Sequence, residues 1–287
     1  MMRTSRPGSR SATRNPLISL MVAAGLALGA WAQQAPPKQP MAKSQKELDA
    51  FMAIQNAVEA DSRLKAIENL LTNFADTQFK EFALQMRTFA YQEKNEFDKM
   101  LIAGEQTLEI NPDNVAVLIM LGQALAQNTR ELDLDKEEKL GKAEKFAKKS
   151  QALIVNLAKF NPQITEEQWT AYKKNAMAQS HEVVGMIAFV RKDYPASEKS
   201  FRLAVEVAPQ ADPTSLFRLS MALGSQNKFD EAIETLDKTI AGGGVQMGGK
   251  DLAAEQKAAF VKAKAAAAKP AAPAAPAAPP QVEIKRP

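Results

Sequence analysis

The residue types that most often carry catalysis or bind metal ions are scarce in this chain. It contains no cysteine and a single histidine, His181. Thiolate nucleophiles, disulfides and cysteine metal sites are therefore excluded. Glu182 follows His181 in the sequence, but there is no second histidine to share a metal ion with it. We predict no metal site and no Ser-His-Asp or Cys-His catalytic group.

Other candidates for chemistry have structural explanations. The paired carboxylates Glu137-Glu138 and Glu166-Glu167 fit charged or helix-starting faces, where acidic side chains are stabilising. The glycine runs at 242–244 and 248–249 follow a predicted helix and indicate a flexible loop, because a phosphate-binding loop connects a strand to a helix. The sequence predicts a protein with no enzymatic activity and no cofactor; an enzyme that uses only carboxylates is the third alternative.

The net charge of +4 is concentrated at the N-terminus. Residues 1–32 contain four arginines and no acidic residue, which leaves 33 basic against 33 acidic groups in the remainder. A neutral body gains little from counterion release on a polyanion, so we predict no nucleic-acid binding. A net charge near zero mildly favours self-association.

The N-terminal segment has the features of a secretory signal peptide. Four arginines precede an apolar run at 17–30, and Ala30 and Ala32 supply the small residues of a cleavage site. We predict cleavage after Ala32, export from a bacterial cell, and a periplasmic or secreted protein. The run is shorter than the ~20 residues of a membrane span, so no span is expected in the mature chain; an uncleaved anchor is the alternative. Residues 33–42 are predicted to be a flexible lead-in.

A repeat of 34 residues begins after the lead-in. Segments 81–114 and 178–211 align with turn residues in register, at Asn95-Glu96-Phe97 and Asp193-Tyr194-Pro195, and with Pro112 and Pro209 ending the second helix. This pattern resembles the tetratricopeptide repeat family, with units near 47–80, 81–114, 115–177, 178–212 and 213–246. The resemblance covers residues 43–269 and implies an all-α fold, a right-handed α-solenoid of about five helix pairs. Helix 251–269 is predicted to cap it.

The third unit carries an insertion of 29 residues. Two long helices are predicted at 136–160 and 166–191. Near their junction Phe160, Trp169 and Tyr172 form an apolar tip. The tip is either covered by the chain itself or exposed as an arm for a partner or a second copy, and burial of Trp169 would count against the arm. Residues 270–287 are predicted to be a Pro/Ala-rich disordered tail, either a simple tail or a tether whose last residues dock elsewhere.

The family resemblance implies a concave groove lined by fixed positions of each first helix. These positions lack the Lys, Arg and Asn cluster that grips a C-terminal carboxylate, so we predict contact with an apolar or mixed peptide instead. The alternative is that some of them, Phe89 and Met186 especially, are ordinary core. The predicted groove residues are Phe82, Gln85, Phe89, Gln92, Ile119, Gln123, Gln179, Glu182, Met186, Phe217 and Met221.

The sequence therefore predicts a non-catalytic scaffold or adaptor in the bacterial cell envelope. It would bind peptide or protein segments of unknown identity through the groove or through the insertion. The alternative, from another class of function, is a structural subunit of an envelope assembly that associates with itself as a homo-oligomer.

Overall fold

The structure is a computed structural model that describes residues 40–159 and 161–268. The predicted signal peptide, most of the lead-in, Phe160 and the Pro/Ala-rich tail lie outside these residues. In the described part no helix is both long enough and apolar enough to cross a membrane.

Most of the described residues are helical, as predicted for an all-α fold. The helices are α1 Gln45–Asn56, α2 Ala60–Asn73, α3 Lys80–Glu93, α4 Phe97–Ile110, α5 Val115–Asn128, α6 Lys136–Val155, α7 Glu166–Val190, α8 Tyr194–Val207, α9 Pro213–Gly224, α10 Phe229–Ala241 and α11 Leu252–Ala267, and the strands are β1 Gln246–Met247 and β2 Lys250–Asp251. They form two compact units, with α1–α8 within Met1–Gln210 and α9–α11 within Ala211–Pro287.

Side-chain caps set several of the helix starts. The Asp212 carboxylate accepts hydrogen bonds from the Thr214 and Ser215 amides at the start of α9, where Pro213 is the first helical residue. Thr165 and Gln168 form a capping box at the start of α7. These bonds satisfy amides that have no partner within the helix. In the sequence, Asp212 before Pro213 predicts a cap at the start of a helix, and Thr165 three residues before Gln168 predicts a capping box; the structure confirms both.

Three connections within helix pairs share one backbone conformation. Asn95, Lys192 and Asn227 have φ angles of 56°, 62° and 61°, and each lies two residues before the next helix begins. Asparagine tolerates this left-handed region better than most residues, whereas a lysine there costs about 1–2 kcal/mol. The recurrence shows that α3–α4, α7–α8 and α9–α10 are equivalent helix pairs.

Small residues lie where helices cross closely. A Cβ atom on Gly185 of α7 would lie 2.7 Å from the Phe201 ring of α8, and the Ser197 hydroxyl donates to the Gly185 carbonyl at 2.9 Å. A Cβ on Gly122 of α5 would lie 3.2 Å from Val183. Gly122 and Gly185 occupy the same position in their repeat units, where a small residue predicts a close helix crossing, and the structure confirms both crossings.

Two long helices occupy the predicted insertion. α6 has 20 residues and α7 has 25, whereas the first five helices have 12 to 14. α6 ends at Val155, five residues before the predicted end. The chain turns there because the Leu157 amide donates to the Ile154 carbonyl, and Lys159 Nζ donates to the Ile164 carbonyl at 3.1 Å.

The glycine-rich segment after α10 is more ordered than predicted. β1 and β2 pair as an antiparallel hairpin, with Gln246 opposite Asp251 and Met247 opposite Lys250. Gly248 and Gly249 form the turn with φ angles of 58° and 80°, which glycine adopts without steric cost. The prediction of a flexible loop at this place was wrong, because two adjacent left-handed glycines favour a tight hairpin turn.

Candidate functional site

Three of the predicted groove residues belong to the core. Ile119, Glu182 and Met186 are 3%, 7% and 7% exposed. Ile119 packs with Ile154 of α6 and Ala176 of α7, so the inserted helices cover the place where a ligand would touch it. The alternative interpretation, in which Met186 is core, is therefore favoured. These three side chains are not available to a ligand in this conformation.

The groove phenylalanines on α3 are half-buried and rest on the core. The Phe82 ring lies 5.1 Å from that of Phe51, which stacks on Phe79 at 4.1 Å. Phe89 packs against the cluster around Ile67 and also against the cluster around Leu121. Each ring is fixed on one side, and its accessible part is a rigid apolar surface.

Amide side chains on α3, α5 and α7 provide the polar part of the predicted groove. Gln92 and Gln179 are exposed and Gln123 is half-buried, and none of the three forms a side-chain hydrogen bond within the described residues. Gln85 differs, because its Oε1 accepts from Asn114 Nδ2 at 3.0 Å. A free amide can both donate and accept, which matches the N–H and C=O groups of a peptide main chain.

Phe217 and Met221 lie in the second compact unit. They are four residues apart on α9 and therefore share one face of that helix. Both are half-buried. This face carries a ring and a thioether that could accept an apolar side chain.

At the predicted insertion tip, the Trp169 side chain is buried. Trp169 is 5% exposed, and its ring stacks on that of Tyr172 at 5.1 Å with an interplanar angle of 12°. Burial raises the pKa of the Tyr172 phenol. Phe160 lies outside the described residues. The burial of Trp169 favours the interpretation in which the chain covers this tip, and it counts against the exposed arm.

His181 lies half-buried on α7. Its Nδ1 is 3.4 Å from Gln151 Nε2 of α6, and burial lowers the pKa of the imidazole. Among residues 40–159 and 161–268 there is no group of three or more His, Cys, Asp or Glu side chains that could hold a metal ion. The geometry fits a packed neutral histidine that bridges two helices.

The lowered pKa of His181 makes stability depend on pH. The unfolded chain protonates His181 near the ordinary pKa of 6.5, whereas the folded chain resists protonation at that pH. Stability should therefore fall as the pH drops through about 6.5, and it should level off once the folded state also protonates. The urea midpoint of His181→Gln, measured in the same pH series, should lack this slope. Equal slopes in the two proteins would contradict the assignment.

Sequence reasoning missed a cleft on the first compact unit. It has a volume of about 300 Å³ and lies among α2, α3 and α4. Lys80, Leu84 and Arg87 follow each other at i, i+4 and i+7 on α3, a spacing that places all three on one face. The i, i+4, i+7 spacing of Lys80, Leu84 and Arg87 is the sequence signal from which this cleft could have been predicted. The cleft is lined by Leu71, Lys80, Leu84, Arg87, Gln106, Glu109 and Ile110.

Sequence comparison and structural comparison give different results for this chain. No family model and no curated protein matches the sequence. PilW, a widely conserved type IV pilus biogenesis factor, is structurally similar with a TM-score of 0.52 at 15% identity, over 78% of this chain and 86% of that chain.

Two further solved structures show the same architecture to different degrees. A MamA RS-1 double mutant gives a TM-score of 0.51 at 10% identity, over 70% of this chain and 96% of that chain. A thermophilic TPR protein of Thermus thermophilus gives 0.48 at 15% identity, over 76% of this chain and 96% of that chain. With the equivalent helix pairs described above, the likeness to PilW and MamA shows that this chain has the all-α helical-repeat fold of the tetratricopeptide repeat family.

Proposed function

We propose that this protein is a non-catalytic scaffold that binds a peptide or protein segment along the first helices α3, α5 and α7. One observation carries the proposal: the free amides of Gln92, Gln123 and Gln179 lie on α3, α5 and α7, the first helices of successive pairs, and α3 also carries the half-buried rings of Phe82 and Phe89. Amides bind a peptide main chain, and the rings bind aliphatic side chains.

The surface that we propose binds the ligand is smaller than the predicted groove, because Ile119, Glu182 and Met186 are buried. What remains is made of uncharged amides and rings, so the main chain of the ligand contributes more than its charge. Binding of this kind tolerates different ligand sequences. It should also depend little on salt, because no ion pair with the ligand is involved.

The proposed location is the bacterial cell envelope. It rests on the signal-peptide features of residues 1–32. Mass spectrometry of the protein from cell fractions tests it. A chain that begins at Gln33 outside the cytoplasm is expected, and an intact Met1 on the exported protein would contradict cleavage.

Site-specific crosslinking tests the groove. A photoreactive amino acid at Gln92 or Gln179 should crosslink to a protein partner in the native cell. Matched positions on second helices are Glu138 of α6 and Lys199 of α8, both exposed, and these should not crosslink to that partner. Crosslinking to the same partner with equal yield from all four positions would contradict a specific groove. Loss of the partner in Gln92→Ala/Gln179→Ala would add support, because both side chains can be removed without disturbing the core.

A further inference from the structure

α11 is attached to the rest of its compact unit by few side chains. The structure describes all 16 residues of this helix, and only Ala253 and Phe260 are buried. Most of the others are alanines and lysines, which add little apolar contact. The attachment of α11 therefore depends mainly on one aromatic ring.

The Phe260 ring fits into a socket between α9 and α10. It occupies the space next to Gly224 at the end of α9, where the Cβ atom of any other residue would overlap it. It also lies 6.0 Å from the ring of Phe229, the first residue of α10. We call Gly224, Phe229 and the space between them the α9–α10 socket. Glycine leaves this space open for a side chain as large as an aromatic ring.

The socket lies at the end of a candidate binding surface. Gly224 follows Phe217 and Met221 at i+7 and i+3 on α9, so the three residues share one face of the helix. Phe217 and Met221 are half-buried and belong to the predicted groove. Phe260 thus covers the end of the face on which an apolar ligand would lie.

Two carboxylates of α10 favour a basic helix at the socket. Asp230 and Asp237 are seven residues apart and share one face of α10. Lys257, three residues before Phe260, pairs with Asp237 at 2.5 Å, and Lys264, four residues after it, pairs with Asp230. Exposed pairs of this kind add little affinity, but they set the orientation of the helix. Both pairs are made by α11 itself, so its departure frees both carboxylates for the cations of another helix.

The segment that joins α10 to α11 has the features of a hinge. Residues 242–244 are consecutive glycines, and Gly243 has a φ angle of 112° with open space around its Cα atom. Asp251 accepts from the Val245 amide at 3.1 Å and from the Ala253 amide at 3.0 Å. These bonds tie the β1–β2 hairpin to the start of α11. The hairpin and α11 can therefore move as one piece about the glycines.

We propose that α11 is an autoinhibitory helix, which occupies the α9–α10 socket until a helix of a partner protein displaces it. The partner helix has the chemistry that α11 displays: a large apolar side chain for the socket, with basic residues three positions before it and four positions after it. The apparent affinity for the partner is reduced by the fraction of chains in which α11 has left. The site uses no residue of α3, α5 or α7, so this proposal and the proposed function can fail independently.

Fluorescence anisotropy with a labelled synthetic peptide of residues 251–268 tests whether the socket binds a separate helix. The wild-type protein should bind the peptide weakly, because its own α11 competes at an effective concentration on the order of mM. Phe260→Ala removes the competing ring and should bind the peptide at least about tenfold more tightly. Val261→Ala is the matched control at an exposed position of the same helix, and it should bind like the wild type.

Filling the socket separates specific binding from a general loosening of the fold. In Gly224→Ala/Phe260→Ala the new methyl group occupies part of the socket, so this variant should bind the peptide at least about tenfold more weakly than Phe260→Ala. A peptide that carries Phe260→Ala should bind none of these proteins. Equal affinity of the wild type and Phe260→Ala would overturn the proposal. Absence of binding to Phe260→Ala, or equal affinity of the double variant, would overturn it too.

A spin label shows whether α11 leaves the socket of a chain that retains Phe260. The protein contains no cysteine, so Val261→Cys provides a single labelling position, at a residue that is 49% exposed. Saturating peptide should raise the mobility of the label, and the Phe260→Ala peptide should leave it unchanged. A label that stays immobile when the peptide is bound would overturn displacement. A wild-type dimer that Phe260→Ala loses would place the α11 of a second copy in the socket and would overturn release by a different protein.

Discussion

Gly185→Ala should destabilise the protein although alanine is the better helix former. The new Cβ atom would lie 2.7 Å from the Phe201 ring, and Phe201 is 1% exposed, so its ring has no room to move away. Overpacking of this kind costs about 1–3 kcal/mol, and the gain in helix propensity offsets up to about 1 kcal/mol. The expected result is a lower urea midpoint with an unchanged slope.

Gly141→Ala is the matched control. Gly141 lies inside α6, and a Cβ atom there would meet nothing within 4 Å. The same substitution should therefore stabilise the protein by about 0.5–1 kcal/mol through helix propensity alone. The difference between the two variants isolates the cost of the clash. Equal stability changes would contradict the close crossing of α7 and α8.

The features that could be predicted from the sequence depend on short-range rules. The cap at Asp212 and the capping box at Thr165 involve residues two or three apart, and so their chemistry is visible in the local sequence. The close crossings at Gly122 and Gly185 recur at matching places of the repeat, which made them recognisable from spacing. The all-α repeat fold followed from these signals.

The accessibility of the groove residues could not be predicted in the same way. A fixed list of groove positions assumes that every unit has the same neighbours. α7 has 25 residues, and it packs on α5 and α6 along its length. Ile119, which a regular unit would place in the groove, is therefore buried against Ile154. Burial at this position depends on contacts between residues more than 30 apart in the sequence, and a local pattern does not contain that information.

Leu132 and Leu134, in the connection between α5 and α6, differ from expectation in the opposite direction, because they are apolar but exposed. Leu132 and Leu134 alternate with Asp133 and Asp135, and a local pattern gives such leucines no reason to be exposed. Their exposure is a property of the folded connection between α5 and α6, which the local sequence does not specify. The local sequence likewise does not specify that Lys80 and Ile110 line one cleft, because they do so only where α3 and α4 pack side by side. Surfaces made by contacts between helices required the structure.

The second large effect is expected where the last helix is anchored. The Phe260 ring of α11 occupies the space next to Gly224 at the end of α9, well inside the contact distance of any added Cβ atom. Phe260 also lies 6.0 Å from the Phe229 ring. It is one of the two buried residues of α11, together with Ala253. Gly224→Ala should expel the ring, and α11 should detach or fray.

The size of this effect follows from what α11 would lose. Truncation of a buried phenylalanine typically costs about 3–5 kcal/mol, and expulsion of the whole ring should cost a similar amount. The ion pairs of Lys257 with Asp237 and of Lys264 with Asp230 are exposed and contribute little to holding the helix. Trypsin should therefore cleave Gly224→Ala at Lys257 and Lys262 much faster than the wild type, and hydrogen exchange should accelerate in α11.

A compensating substitution separates loss of anchoring from general damage. Gly224→Ala/Phe260→Leu replaces the ring by a smaller side chain that leaves room for the new methyl group, so resistance to trypsin should return in part. Val261→Ala is the control on α11, because Val261 is 49% exposed and its truncation should change little. If Gly224→Ala is as resistant as the wild type, Phe260 does not anchor the helix. If trypsin cleaves the double variant faster than Gly224→Ala, the smaller side chain has only removed apolar contacts. The sensitivity of Gly224→Ala to trypsin is then not caused by a clash with the Phe260 ring.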